Sequence, residues 1–166
     1  MADNMKQYAV GEKVVYPSQG VGVIQGVVER EFNGKKILYY NIYLEVTDMT
    51  VMAPVMKAEE LGIRSIVSPE EAERALERMG EVGEPNPSDW KMRYQMNLEL
   101  LRKGTVLDIA MIVRSLYNRS KVKELPIMER KLYDSALKLF QDELSVSLGR
   151  PKDEIESLIH QKLESH

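Results

Sequence analysis

The apolar residues of this 166-residue chain change their period once, near Leu61-Gly62, and that change divides what the chain can become. From Gly11 to Met56 they are mostly β-branched or aromatic and recur with a period near two, broken by glycine turns. This is the pattern of short strands with one buried face. Lys13-Val14-Val15-Tyr16 reads as a first strand, Pro17-Ser18-Gln19-Gly20 as a turn, and Val21 to Glu29 as a second strand. Asn33-Gly34 is a strong hairpin signal, because a tight turn needs positive φ and Asn-Gly tolerates it best. Ile37 to Val46 and Thr50 to Val55 follow as strands, joined across Thr47-Asp48-Met49. So many short antiparallel strands in so little chain make a small barrel or a strongly bent sheet.

Beyond Gly62 the period is helical. Ser68-Pro69-Glu70-Glu71 offers a capping hydroxyl, a proline suited to the first helical position, and acids where the helix dipole favours them, which predicts a helix to about Met79. Gly80 to Pro87 reads as a loop, after which Ser88-Asp89 can cap a helix whose apolar positions are Met92, Met96, Leu100 and Leu101. Gly104 stops it. Thr105 with Asp108 opens the next, with Ile109, Ile112, Val113 and Leu116 as its stripe. Pro126 starts a long helix through Leu148, and Gly149-Arg150-Pro151 separates it from a last one, Lys152 to Leu163. The fold class expected is therefore α+β, a small β-barrel or bent sheet over residues 1–66 followed by an all-α bundle over 67–166.

The chemistry-bearing residues are sparse. Without cysteine there is no disulfide, thiolate or usual structural zinc site. Both histidines, His160 and His166, lie in the last seven residues, a poor place for a general base. The glycines around Val21 complete no phosphate-binding fingerprint, and Glu70, Glu71, Glu73 and Glu77 read as a solvated helix face with Arg74 and Arg78 as partners. No enzyme, cofactor, metal or small-molecule substrate is expected. No run approaches the roughly 20 apolar residues that span a bilayer, and Met1 to Val10 is not a signal peptide, so a soluble cytoplasmic protein is expected.

The net charge of −3 hides a local field. Between Ser88 and Lys131 stand ten Lys/Arg against five acids, an excess that suits a polyanion. The only tryptophan, Trp90, heads that stretch. A lone tryptophan is more often core, but Trp90 precedes the apolar stripe, sits in the first turn of its helix beside Lys91, and has Arg93 one turn on. An indole among cations suits a wedge against a base step, with cations on the backbone and Arg93 stacked on the ring or bound to phosphate. Arg114, Arg119, Lys121 and Lys123 lie toward a helix C-terminus, where some offset its dipole. Arg130 and Lys131, at a helix start, oppose theirs.

These residues resemble the CarD/CdnL group of bacterial transcription regulators, and more closely its shorter CdnL-like form. The N-terminal carriers are GEKVVYPSQGVGVI at Gly11 to Ile24 and APV at Ala53 to Val55, and the linking one is LGIRSIVS at Leu61 to Ser68. The C-terminal carriers are WKMRYQMNLELLRKG at Trp90 to Gly104, IVRSLYNR at Ile112 to Arg119, and ERKLYDSALKLFQDEL at Glu129 to Leu144. The resemblance implies a Tudor-like β domain that docks on the RNA polymerase β subunit, and a helical domain that contacts promoter DNA at the upstream edge of the melted region. The matching tryptophan, Trp90, would wedge into the minor groove and slow collapse of the bubble. Arg93 and Arg130 match DNA-proximal cations, and Arg30 matches an arginine of the polymerase-binding surface. Met52 and Gln95 stand where some relatives carry an arginine and a lysine.

The expected DNA-binding residues are Trp90, Lys91, Arg93, Arg114, Arg119, Arg130 and Lys131, with weak sequence preference; Arg30, Met52 and Pro54 are expected to face the polymerase. A monomer is the simplest bridge between two larger partners. The rival reading is a protein-protein adaptor of the transcription machinery whose basic helices are solvated surface. A peptide-binding aromatic cage from Tyr16, Tyr39, Tyr40 and Tyr43 competes with core packing, which strand alternation favours.

Overall fold

A computed structural model of the chain describes residues 7–81 and 87–165. They fall into two compact units, Met1–Ile66 and Val67–His166. The first holds strands β1 (Lys13–Tyr16), β2 (Gly20–Phe32), β3 (Lys35–Leu44), β4 (Met49–Pro54) and β5 (Arg64–Ser65), with a 3-10 turn at Val55–Lys57. The second holds helices α1 (Pro69–Met79), α2 (Trp90–Lys103), α3 (Val106–Val122), α4 (Ile127–Leu148) and α5 (Lys152–Glu164). The expected loop over Gly80 to Pro87 lies mostly outside the described residues.

The sheet is antiparallel in the order β4-β3-β2-β1-β5. Among the described residues β4 and β5 are edges that do not pair with each other, so the sheet is open where a closed barrel was one expectation. Strand β5 carries no alternation of its own and was not legible in the sequence. Asn33 and Gly34 take the positive φ values, 53° and 77°, that the β2–β3 hairpin demands. The register shifts between Ile24 and Gly26, where Gln25 is the extra residue of a bulge. Strict alternation from Ile24 would put Arg30 on the core face; the bulge moves it to the other.

The core face carries Val14, Ile24, Tyr40, Ile42, Leu44 and Ala53, all buried. Tyr8 closes one end: its hydroxyl donates to the Ile63 carbonyl at 3.1 Å, its N–H donates to the Tyr40 hydroxyl at 3.1 Å, and the two rings meet edge to face at 5.7 Å. Burial raises the Tyr8 phenol above its ordinary value of 10.0, with Glu12 adding to the shift, so it stays protonated as a donor. Tyr40 points into this core, whereas Tyr39 and Tyr43 stand on the opposite face by register, so the four tyrosines do not converge on a cage.

The helical unit is held by Leu76, Met79, Ile112, Leu116, Phe140, Leu144, Ile155 and Ile159. Three of its helices begin at side-chain caps, whereas α4 and α5 follow prolines without one. Ser68, Asp89 and Thr105 accept from the N–H groups of Glu71, Lys91 and Asp108, and Gly104 and Gly149 close α2 and α4 with φ of 72° and 64°. Entry into the unit is pinned by α4. Glu143 accepts from the Val67 N–H at 3.1 Å, and the Ser147 hydroxyl donates to the Val67 carbonyl at 2.6 Å.

At Gly22 a Cβ would stand 2.6 Å from Ile42 Cγ2 and 3.2 Å from the Tyr43 carbonyl oxygen, too close for the strands to hold their spacing. Gly22→Ala is therefore expected to lower stability by about 1–3 kcal/mol through overpacking, measured as a fall in the urea midpoint at unchanged slope.

Candidate nucleic-acid interface

Helix α2 buries only part of the stripe its sequence displays: Leu101 is buried and Leu100 packs half-buried against the core. Met92 and Met96 are 56% and 48% exposed, while the inward positions are Arg93, Asn97 and Leu101. The inward line of Arg93, Asn97 and Leu101 is displaced by one residue, roughly 100° on a 3.6-residue repeat, from the line of Met92 and Met96. The reason is a charge pair. Arg93, 2% exposed, donates from Nε to Glu129 Oε2 at 2.7 Å and from Nη2 to Glu129 Oε1, a bidentate fork onto a carboxylate that is fully buried in the first turn of α4. Its Nη1 donates to the carbonyls of Pro87 at 3.0 Å and Ser88 at 3.4 Å.

This corrects one expectation. The Arg93 guanidinium is turned inward, with every nitrogen engaged, and is not available to a phosphate or to stack at the surface on the indole. Arg114 requires the same correction: it is 3% exposed, and its Nη1 donates to the Leu163 carbonyl at 3.0 Å at the C-terminal end of α5. Both cations organise the bundle from within. The signal for Arg93 was Glu129, one of the few acids in a basic stretch; nothing in the sequence marks Arg114.

The remaining candidates reach solvent. Trp90 is partly exposed in the first turn of α2, beside exposed Lys91. Arg130 and Lys131 are exposed in the opening turns of α4, directly after Glu129. The Arg93–Glu129 fork thus brings the α2 end that bears Trp90 and Lys91 beside the α4 end that bears Arg130 and Lys131. Arg119 is half-buried in the last turn of α3, which a short connection joins to the same end of α4. Arg119 and Lys121 oppose the negative end of the α3 dipole, so their charge has an internal use. Lys91, Arg130 and Lys131 stand instead at helix N-termini, where the dipole repels them. Arg130 has a distant partner in Asp134 at 3.8 Å and lies over the Tyr133 ring at 5.9 Å. Burial pushes the Tyr133 phenol above 10.0, against the pull of Arg130, so Tyr133 adds no negative charge to this surface near neutral pH. The arrangement is a partly exposed indole at one helix N-terminus and exposed cations at that end and at the α4 end which the fork joins to it, chemistry suited to a polyanion backbone beside an aromatic edge.

In the β unit the register settles the other candidates. Arg30 pairs with Ile37, Pro54 with Tyr39 and Met52 with Asn41, so Arg30, Met52 and Pro54 share the face opposite the core. Arg30 and Met52 are exposed and Pro54 is half-buried. Phe32, 64% exposed, extends the same face toward the hairpin tip. No sequence signal singled out Phe32.

The two kinds of ion pair differ in weight. Glu129→Ala leaves a buried guanidinium uncompensated and is expected to cost about 3–5 kcal/mol, whereas Arg130→Ala removes an exposed pair and is expected to cost less than about 1 kcal/mol, both read from urea denaturation.

Two family models cover nearly all of this architecture. The one described as "CarD-like/TRCF RID domain" matches residues 8–67, the β unit, and the one described as "CarD, C-terminal domain" matches residues 59–160, the helices. A Bacillus subtilis (strain 168) protein named "Putative transcription factor YdeB" is 32% identical over 154 residues, spanning 90% of this chain and 98% of that one. The solution NMR structure of the 72-residue N-terminal domain of Myxococcus xanthus CarD is 36% identical over 36% of this chain and 79% of that one, with a TM-score of 0.31. Both halves match in order, and a full-length relative aligns almost end to end. The chain belongs to the CarD/CdnL family of transcription regulators.

Proposed function

We propose that this protein docks on the β subunit of bacterial RNA polymerase through its N-terminal unit, which we read as Tudor-like, and stabilises the promoter open complex through its helices. The observation that carries the DNA half is the pairing of α2 and α4 ends around Trp90. Lys91, Arg130 and Lys131 would hold phosphates, with Arg119 at the margin, while the indole wedges into the minor groove at the upstream edge of the bubble. Arg93 and Arg114 are removed from the contact set and act as supports. For the polymerase half, support comes from the common face of Arg30, Met52 and Pro54 and from the match of the β unit to the CarD-like/TRCF RID domain. A regulator of this kind performs no bond chemistry: it needs only to bind the open state more tightly than the closed one, and a difference of about 1.4 kcal/mol shifts their ratio tenfold.

Three outcomes test this reading. With a cognate polymerase and a responsive promoter, the protein lengthens open-complex lifetime after competitor challenge, and Trp90→Ala removes most of a roughly tenfold effect while binding to polymerase persists. An unchanged lifetime with the variant contradicts the wedge, and no effect of the wild-type protein favours a protein-protein adaptor. Arg30→Glu weakens capture of the β subunit in a pull-down but leaves the protein's own DNA affinity intact. Replacing Lys91, Arg130 or Lys131 by Ala reduces the slope of log affinity against log salt by about 0.9 for each phosphate that is no longer neutralised.

A further inference from the structure

We propose that the Arg93–Glu129 pair is a positioning latch for Trp90, setting the pose of the indole in the free protein before any partner is bound. The inference rests on the reading of Trp90 as the DNA-contacting wedge. The carbonyls that Arg93 Nη1 engages belong to Pro87 and Ser88, the residues just before Asp89 and Trp90. Arg93 itself lies one turn after Trp90, and its backbone N–H donates to the Asp89 carbonyl at 3.0 Å. The segment from Pro87 to Arg93 is therefore a closed ring of chain with Trp90 inside it, and Nε and Nη2 moor that ring to Glu129 on α4. Asp89 tightens it further by accepting from the Lys91 N–H at 3.2 Å.

First turns of helices fray unless they are tied, and an indole on a fraying turn loses its direction. The planar guanidinium suits this task because its nitrogens diverge at fixed angles, two onto one carboxylate and the third onto the chain upstream. A lysine ammonium is a single point of charge and cannot span both. Stability alone does not account for the device, since well-packed apolar residues often replace a buried ion pair without loss. What apolar residues cannot supply is the directional hold on the Pro87 and Ser88 carbonyls.

Two full-length variants separate positioning from stability. Arg93→Lys keeps the charge opposite Glu129 but loses the fork, and the double variant Arg93→Met/Glu129→Leu removes both charges while filling the space. If Arg93→Lys does not fold, the double variant decides. Trp90 is the only tryptophan, so time-resolved fluorescence anisotropy of the unliganded protein reads its motion alone. The expected result is a larger fast component of indole depolarisation in variants that retain native far-UV circular dichroism and cooperative melting. A shortening of open-complex lifetime by about 2- to 10-fold should accompany it, the size of effect expected when an anchoring side chain must be ordered on binding. Folded variants with wild-type anisotropy, or with a looser indole and an unchanged lifetime, overturn the latch. An unchanged lifetime in Trp90→Ala overturns the wedge reading instead, whatever the anisotropy of the latch variants.

Discussion

The helical unit is organised around one buried fork, Arg93 on Glu129. It decides which face of α2 turns inward, and so leaves Met92 and Met96 at the surface where apolar spacing alone would bury them. It also sets two helix N-termini side by side, one ending in Trp90 and Lys91, the other opening on Arg130 and Lys131. Burying two charges is expensive unless geometry and additional hydrogen bonds compensate. Here both carboxylate oxygens and three guanidinium nitrogens are engaged, so the interior tolerates the pair, and on our proposal it thereby fixes the direction of the indole end of α2.

Division into two units has a physical use on the proposed reading. A surface with a handful of phosphate contacts binds DNA weakly and loses affinity steeply with salt. Docking the β unit on the polymerase raises the local concentration of the helical unit at the promoter, typically into the millimolar range, at which weak contacts are occupied. The bulge at Gln25 serves the docking half by turning Arg30 onto the face of Met52 and Pro54. An extra residue in one strand thereby determines the composition of a surface formed by three.

Much of the fold was legible because its signals are local. The Asn33-Gly34 turn, the Ser68, Asp89 and Thr105 caps, and the stripe of Ile109, Ile112, Val113 and Leu116 need no knowledge of distant chain. What escaped depends on partners far along the sequence. Strand β5 exists only because β1 offers an edge; the open sheet is set by pairings that periodicity does not specify. Of the site, Trp90, Lys91, Arg130 and Lys131 stand where a charge count and a helix-dipole argument expect exposed groups. Arg93 and Arg114 do not, because their inward turn requires Glu129 and the Leu163 carbonyl as acceptors, and spacing along one helix carries no trace of either. A residue that resembles a DNA contact in sequence is in this structure buried on a carboxylate of the neighbouring helix.

The central claim, that the indole end of α2 lies against promoter DNA when the β unit is docked on polymerase, is tested most directly by placing a photo-crosslinking aromatic amino acid at position 90 and irradiating assembled promoter complexes. The account predicts crosslinks to DNA confined to the upstream edge of the melted region, dependent on polymerase and on Arg30. Crosslinks to polymerase alone, or to DNA scattered along the duplex irrespective of polymerase, would contradict it.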